Sequence, residues 1–274
     1  MNDFAKPPAN PASIPAATVI LAREGPAGVP EFLLVQRGEQ LAFAGGALVF
    51  PGGRVDAGDG RIARNAALAT GFAGLADEDA AARVTCAREA LEETGVLLTE
   101  GPAPDAAALA TARALLAAGP DAAEAAGFAG MLGAMGHRVD AGRFIPFARW
   151  EPPAAAAIAR RFDTRFYLAD AGRSASAAIT PDGFEAKALR WTTAAQALAD
   201  YAAGRAAMVF PTWCNMHRLA QYQSLISLFE RVSALPAPYV QPRFETIAGE
   251  AWLTIPDGID YPVTRDRVAD LRRE

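Results

Sequence analysis

The sequence predicts an α/β (α+β) fold, a sandwich of strands and helices. Three observations lead to this prediction. Short apolar runs rich in β-branched residues come first, and a strong helical segment that ends at Gly95 follows them. Further strand-like runs and a closing helix complete the chain. With 274 residues, the chain is long enough for one large domain or two small ones.

Local composition justifies each element in turn. The apolar runs 18–22 and 31–36 flank a segment with two Gly and two Pro, which indicates a hairpin. A third strand over 47–50 ends at Pro51-Gly52-Gly53. The remaining predictions are helices over 82–94, 104–118, 121–135, 193–204 and 213–232, and strands over 96–98, 143–150, 164–169 and 186–191.

The domain organisation follows from these elements. Four Pro in residues 1–15 indicate a loose tail, and residues 16–236 form the predicted main domain. Two alanine-rich helices between strands indicate a helical insertion over about 102–140, and 237–274 is treated as a C-terminal extension.

Charge and composition exclude several classes of function. The net charge is −5, and Lys6 and Lys187 are the only lysines, so no basic patch for nucleic acid is expected. No apolar run is long enough for a membrane span, and no secretion signal is recognisable. Cys86 and Cys214 cannot form a disulfide framework. The expectation is a cytoplasmic protein whose partner is a small molecule, with a homodimer left open.

The segment 88–96 carries the most chemistry. At about 100° per residue, Glu89, Glu92 and Glu93 fall on the side of a helix opposite its apolar residues. A hard cation such as Mg²⁺ or Mn²⁺ would relieve the repulsion among three carboxylates, and it suits oxygen ligands. The alternative is an acidic helix face in water, which charge runs usually form.

A glycine turn precedes this helix. Phe50-Pro51-Gly52-Gly53 follows a strand, and paired glycines let the backbone approach a ligand closely. The same pattern is also typical of an ordinary turn. Because the turn and the acidic helix are close in sequence, both could border one cleft.

Together these segments resemble the Nudix box, which is Gly, five residues, Glu, seven residues, then Arg-Glu-apolar-x-Glu-Glu-x-Gly-apolar. The run from Arg88 to Val96 matches every fixed position of its second half. Asp59 stands where the first Glu is expected, and about 21 additional residues separate it from Arg88. Glu78 and Asp79 are the other candidates for that first acid.

The interrupted box resembles the subgroup related to peroxisomal coenzyme A diphosphatases. The similar stretches are 32–37, 45–46, 49–53 with Asp56 and Asp59, 147–150 and 160–167. The resemblance covers residues from about 18 to 203, and it implies a Nudix fold, in which a mixed β-sheet is sandwiched between helices. It also implies hydrolysis of a nucleoside diphosphate linked to another group. Coenzyme A or an acyl-CoA is the implied substrate, and ADP-ribose and NADH are the alternatives.

The resemblance also implies roles for individual residues. Glu89, Glu92 and Glu93 would hold Mg²⁺ or Mn²⁺, with the Gly53 carbonyl as a further ligand. Arg88 would orient a box carboxylate, and Glu93 or an acid outside the box would be the base.

Other candidate residues lie outside the second half of the box. Glu185 is the outside acid and a possible metal ligand, although an exposed loop Glu is the ordinary interpretation. The candidate substrate-binding residues are Arg37, Arg161, Gly52 and Gly53. Arg160 and Arg165, like Arg161, are candidates for contact with a phosphate, because guanidinium groups match phosphate geometry. A non-catalytic Nudix module that senses a nucleotide is the alternative from another functional class.

Overall fold

The fold is described by a computed structural model of the chain. The structure describes residues 13–38, 46–117, 127–154, 156, 160–172, 179–181 and 186–271.

The described strands are short at the turns and long at the centre of the sheet. They are β1 (Ile14–Glu24), β2 (Pro30–Arg37), β3 (Leu48–Val49), β4 (Gly52–Arg54), β5 (Ala69–Thr70), β6 (Val139–Asp140), β7 (Ile145–Trp150), β8 (Phe162–Asp170), β9 (Ala186–Thr193), β10 (Tyr239–Val240), β11 (Arg243–Ile247), β12 (Glu250–Thr254) and β13 (Arg265–Arg267).

The described helices occupy both halves of the chain. They are α1 (Ala57–Ala63), α2 (Asp77–Glu89), α3 (Ala106–Ala117), α4 (Phe128–Met135), α5 (Ala194–Ala202), α6 (Phe210–Leu219) and α7 (Leu225–Ala234). A π-helical segment, Ala90–Thr94, continues α2, and 3₁₀ turns lie at Pro26–Gly28 and Ala141–Arg143. None of the helices in these ranges is both long enough and apolar enough to cross a lipid bilayer.

The main sheet is mixed, as the resemblance to the Nudix family implies. Its order is β10-β7-β8-β1-β2-β3, with β4 paired to β1 and β9 paired to β2. β1 and β8 run parallel, whereas β1 and β2 form the predicted antiparallel hairpin. The long central strand β1 therefore pairs with β4, which contains Gly52 and Gly53, and with the parallel strand β8.

The two faces of this sheet bury separate apolar clusters, because side chains alternate along a strand. Val19 and Leu21 of β1 pack with α2, α3 and α4, whereas Ile20 and Ala22 pack on the opposite face with α5, α6 and α7. Helices therefore cover both faces of the sheet, and the predicted α/β fold class is confirmed.

Three local predictions differ from the structure. The apolar run 96–98 is buried but forms no strand, so its burial comes from side-chain packing alone. The helix predicted over 213–232 is two helices, because the Ser224 side chain accepts a hydrogen bond from Ser227 N and begins a new helix. β1 begins at Ile14, inside the segment predicted as a tail.

The C-terminal region packs on the second apolar cluster. β10 joins the main sheet beside β7, and Leu253, Ile255, Tyr261 and Leu271 are buried with the helices α5 to α7. The residues after 236 therefore complete this core, and β11, β12 and β13 within them form a separate three-stranded sheet.

Candidate active site

The glycine turn lies where β1 and β2 separate. Arg37 N donates to Ala47 O at 3.0 Å, and Gly53 pairs with Ala17 of β1. The chain from 47 to 54 therefore runs up beside β2, turns at Phe50 and Pro51, and returns beside β1. This arch brings Gly52 and Gly53 to the same end of the sheet as Arg37.

Both glycines are required by close contacts. A Cβ on Gly52 would lie 2.5 Å from the Ala17 carbonyl oxygen and 2.6 Å from Thr18 Cα. A Cβ on Gly53 would lie 2.6 Å from the carboxyl carbon of Glu89. Gly52 thus allows the turn to approach β1, and Gly53 allows the helix carboxylate to approach the turn.

The acidic segment of the helix is not an ordinary solvated face. Glu93 is only 3% exposed, and its carboxylate accepts a hydrogen bond from Gly52 N at 3.1 Å. The Glu89 side chain is 12% exposed and that of Glu92 is 34% exposed. Burial of two of the three carboxylates beside the turn argues against the solvated-face interpretation.

The π-helical geometry of Ala90–Thr94 changes where these side chains point. A wheel drawn at about 100° per residue assumes α-helical spacing throughout, whereas a π turn contains more residues. The segment ends at Gly95, whose φ of 76° is left-handed, as the predicted C-cap requires.

The Arg88 guanidinium joins the two halves of the interrupted box. Its Nε and Nη2 donate to Asp59 at 3.1 and 3.0 Å, and Nη1 donates to Glu89 at 2.7 Å. Asp59 also accepts from Thr85 Oγ1 at 2.8 Å and from Asp56 N at 3.0 Å. Of the three candidates for the first acid of the box, Asp59 is therefore the one that lies beside Arg88.

The other two candidates for the first acid lie elsewhere on α2. Glu78 is exposed in the first turn of the helix. Asp79 binds Arg83 at 3.0 Å and accepts the Tyr167 hydroxyl at 2.5 Å, which ties α2 to β8. The segment between Asp59 and Arg88, which contains the 21 additional residues, forms the rest of α1, a connection with β5 and most of α2, and it does not separate Asp59 from Arg88.

Charge at the site is set by burial and by this ion network. Burial, opposed by Arg88 and assisted by Glu92, raises the pKa of Glu89 to about 7 in the metal-free protein. Burial alone would lower the pKa of Arg88, but the charges of Glu89 and Asp59 raise it well above its usual value. Arg88 is therefore a permanent cation among the box acids.

The donor set fits a hard divalent cation in kind, because it consists of carboxylate and carbonyl oxygens. Within the described residues, however, no three Asp, Glu, His or Cys side chains converge closely enough to hold a metal ion as they stand. Glu89 is turned toward Arg88, and Glu93 toward the Gly52 amide. Metal binding would require these carboxylates to rotate, and Glu185 lies outside the described residues.

The candidate substrate-binding arginines differ in their surroundings. Arg37 ends β2 at the edge of the arch. Arg161 donates to the carbonyls of Pro152 and Pro153, both at 2.9 Å, which holds the connection between β7 and β8. Arg165 pairs with Ala17 across from Gly53, so it lies about 10 Å from the turn, two strand spacings away. A role in substrate binding stays a prediction for all three.

The remaining polar and aromatic candidates have structural surroundings. Cys86 is fully buried, and burial raises its thiol pKa well above the usual value. His137 is buried and contacts Thr99 Oγ1 at 2.7 Å. Tyr167 lies in the first apolar cluster and Phe166 in the second, so both are core residues.

Two site residues could not be assigned from the sequence. Thr85 lies on α2, the box helix, and its hydroxyl donates to the Asp59 carboxylate. The two residues are distant in the sequence, and the fold brings them together. Arg113 of α3 donates to the Glu92 carbonyl at 2.9 Å, although it lies in the inserted helices, where no motif marks it.

Known structures share this arrangement of sheet and helices. A crystal structure of a NUDIX hydrolase from Alicyclobacillus acidocaldarius matches with a TM-score of 0.66 and 27% sequence identity, over 82% of this chain and 97% of that chain. The chain has the Nudix hydrolase fold.

More remote matches add nothing to this conclusion. A MutT/nudix family protein from Enterococcus faecalis matches at 14% identity with a TM-score of 0.37, over 68% of this chain and 46% of that chain. A MutT protein from Methanosarcina mazei Go1 matches at 13% identity with a TM-score of 0.34, over 70% and 85%. No model of a known protein family matches the sequence.

The likeness to the Alicyclobacillus protein supports the Nudix family and an enzyme that hydrolyses phosphoanhydride bonds. It leaves the substrate and the individual site residues as predictions.

Proposed function

We propose that this chain is a metal-dependent Nudix pyrophosphohydrolase that cleaves a nucleoside diphosphate linked to another group. The observation that carries the proposal is the pair of carboxylates, Glu89 and Glu93, packed against the Gly52-Gly53 turn. Without a ligand, burying two acids beside a glycine turn is costly, whereas a cation and a phosphate would give both features a use.

In this proposal, Glu89, Glu92 and Glu93 hold Mg²⁺ or Mn²⁺, with the Gly53 carbonyl and Glu185 as further ligands. The bound ion supplies Lewis-acid chemistry, because it neutralises charge on phosphoryl oxygens and lowers the pKa of bound water. Arg88 touches neither substrate nor water; it positions Glu89 and fixes Asp59 at the base of the box helix.

The protein residues then serve the hydrolysis as follows. Glu93 takes the proton of the attacking water on a carboxylate oxygen. The water oxygen bonds to one phosphorus, and the bridging oxygen leaves with the other phosphate. Arg37 and Arg161 bind the charged ends of the substrate, where guanidinium groups match phosphate geometry.

Coenzyme A or an acyl-CoA is the proposed substrate, with ADP-ribose and NADH as alternatives. This choice rests on the resemblance of 32–53 and 147–167 to the coenzyme A diphosphatase subgroup. Cleavage would release 3′-phosphoadenosine 5′-phosphate and a phosphopantetheine. The test is a panel of coenzyme A, acetyl-CoA, ADP-ribose and NADH with Mg²⁺ and with Mn²⁺. Cleavage of ADP-ribose with no action on coenzyme A would contradict the subgroup but not the reaction.

The variant Glu93→Gln tests the proposed chemistry. Loss of the carboxylate should lower kcat by roughly 100-fold or more, because it removes a metal ligand and the proton acceptor. Glu78→Gln is the matched control, since Glu78 is an exposed acid on the same helix and should leave kcat unchanged. Equal turnover by both variants, with both folded by circular dichroism, would remove Glu93 from the mechanism.

A further inference from the structure

Arg113 connects the inserted helices to the acidic segment. It lies on α3, and its Nη2 donates to the Glu92 carbonyl at 2.9 Å while Nη1 donates to Thr180 Oγ1 at 2.6 Å. A Cβ added to Gly95 would lie 3.6 Å from Arg113 Nη1, so the guanidinium sits against the end of the π-helical segment.

The hydrogen bond from Arg113 satisfies a carbonyl at the C-terminal end of the π-helical segment. The last carbonyls of a helix have no partners within it, and the Glu92 carbonyl is one of them. Gly95 N donates a hydrogen bond to the Leu91 carbonyl at 2.9 Å, and Thr180 N donates to the Thr94 carbonyl at 3.3 Å. Arg113 supplies the partner for Glu92 O, and a cation near a helix C-terminus is also favoured electrostatically.

α3 does not depend on Arg113 for its own position. Ala112 and Leu116 are buried in the apolar cluster of the box-helix face, and Leu109 packs against it. Substitution of Arg113 should therefore leave α3 in place while removing its hydrogen bonds to the Glu92 carbonyl and to Thr180.

We propose that Arg113 is a positioning residue for the metal-binding carboxylates. By fixing the backbone at Glu92, it sets the directions of the Glu92 and Glu93 side chains, and it touches neither metal nor substrate. The inference rests on the proposed function. A shift of about 1 Å in reacting groups can reduce catalysis about 100-fold, so a loosened helix end should affect kcat strongly.

The test compares Arg113→Gln with Arg113→Lys and with the control Arg143→Gln in the full chain. Arg143 is a matched control because its Nη1 also donates to a backbone carbonyl, that of Thr99 at 3.3 Å, outside the box. The measurements are kcat and KM on the cleaved substrate, Mn²⁺ affinity by electron paramagnetic resonance without substrate, and thermal unfolding.

Arg113→Gln should lower kcat about 10-fold and weaken Mn²⁺ binding about 5-fold, with KM and Tm close to those of the unsubstituted protein. Arg113→Lys should recover part of both losses, because an ammonium can still donate to the carbonyl. Arg143→Gln should match the unsubstituted protein in kcat and Mn²⁺ affinity.

Unchanged kcat and Mn²⁺ affinity in Arg113→Gln would overturn the inference while leaving the proposed function intact. A parallel fall in Tm, with no recovery by Lys and equal losses in Arg143→Gln, would also overturn it, because the role would then be structural. If the unsubstituted protein binds Mn²⁺ but cleaves nothing in the panel, the proposed function fails, and the Mn²⁺ affinities alone decide the role of Arg113. Absence of Mn²⁺ binding by the unsubstituted protein would overturn both.

Discussion

Gly52 and Gly53 are neighbours in the chain but serve different contacts. Gly52 lies against the backbone of β1, which cannot move without disturbing the sheet. Gly53 lies against the end of the Glu89 side chain, which can rotate. The turn therefore has one residue that the fold requires and one that the site requires.

The two glycines should respond differently to substitution by alanine. Gly52→Ala forces overlap with backbone atoms and should lower the free energy of unfolding by about 1–3 kcal/mol. Gly53→Ala should cost less stability but should displace the Glu89 carboxylate and weaken Mn²⁺ binding. Urea denaturation and Mn²⁺ titration measure the two effects, and the reverse ranking of stability would contradict the assignment.

The box is an assembly of three elements, α1, α2 and the π-helical segment. The ion pair between Arg88 and Asp59 holds these elements together, and Asp59 is only 2% exposed. Asp59 caps α1 through Asp56 N and receives Thr85 from α2, so one carboxylate joins both helices. The residues between the box halves form the rest of α1, the connection with β5 and most of α2, and they leave the contact of Arg88 with Asp59 intact.

The variant Asp59→Asn tests this junction. It removes the negative partner of a largely buried Arg88 and places an amide donor against existing donors, so it should lower the free energy of unfolding by roughly 3–5 kcal/mol. Asp77→Asn is the control, because Asp77 is 82% exposed and its pair with Arg64 is 3.5 Å long. That control should change stability by less than about 1 kcal/mol in the same urea titration. Equal losses would contradict the role of Asp59.

On the scale of the whole molecule, the C-terminal residues complete the second core. Arg218 is 1% exposed and takes Asp260 as its partner at 3.2 Å, and Tyr261 donates to Asn215 at 2.6 Å. These bonds join α6 to the chain after 236. The region treated as an extension is thus required by the helices that precede it.

Truncation after residue 236 should prevent stable folding. It exposes the apolar residues that pack against Leu253, Ile255 and Tyr261, each contributing about 1.5–3 kcal/mol when buried, and it leaves Arg218 without Asp260. Circular dichroism and thermal unfolding measure the outcome. A truncated chain that unfolds cooperatively near the Tm of the full chain would contradict this account.

The hairpin and the helix C-cap at Gly95 could be predicted because each depends on local composition, whereas the mixed sheet was implied by the resemblance to the Nudix family. It cannot choose between Asp59, Glu78 and Asp79, since that choice depends on how α1 packs against α2. Local periodicity also gives no sign of the π turn that follows Glu89. The end of α6 and the start of α7 at Ser224 could not be predicted, because the apolar pattern continues across the N-cap residue.

The central claim is that the box carboxylates hold a divalent cation beside the glycine turn. Anomalous diffraction from crystals of the full chain grown with MnCl₂ tests it most directly. The account predicts a Mn²⁺ peak within about 2.0–2.6 Å of carboxylate oxygens of Glu89 and Glu93. A Mn²⁺ peak bound only elsewhere, or no peak at saturating metal, would contradict it.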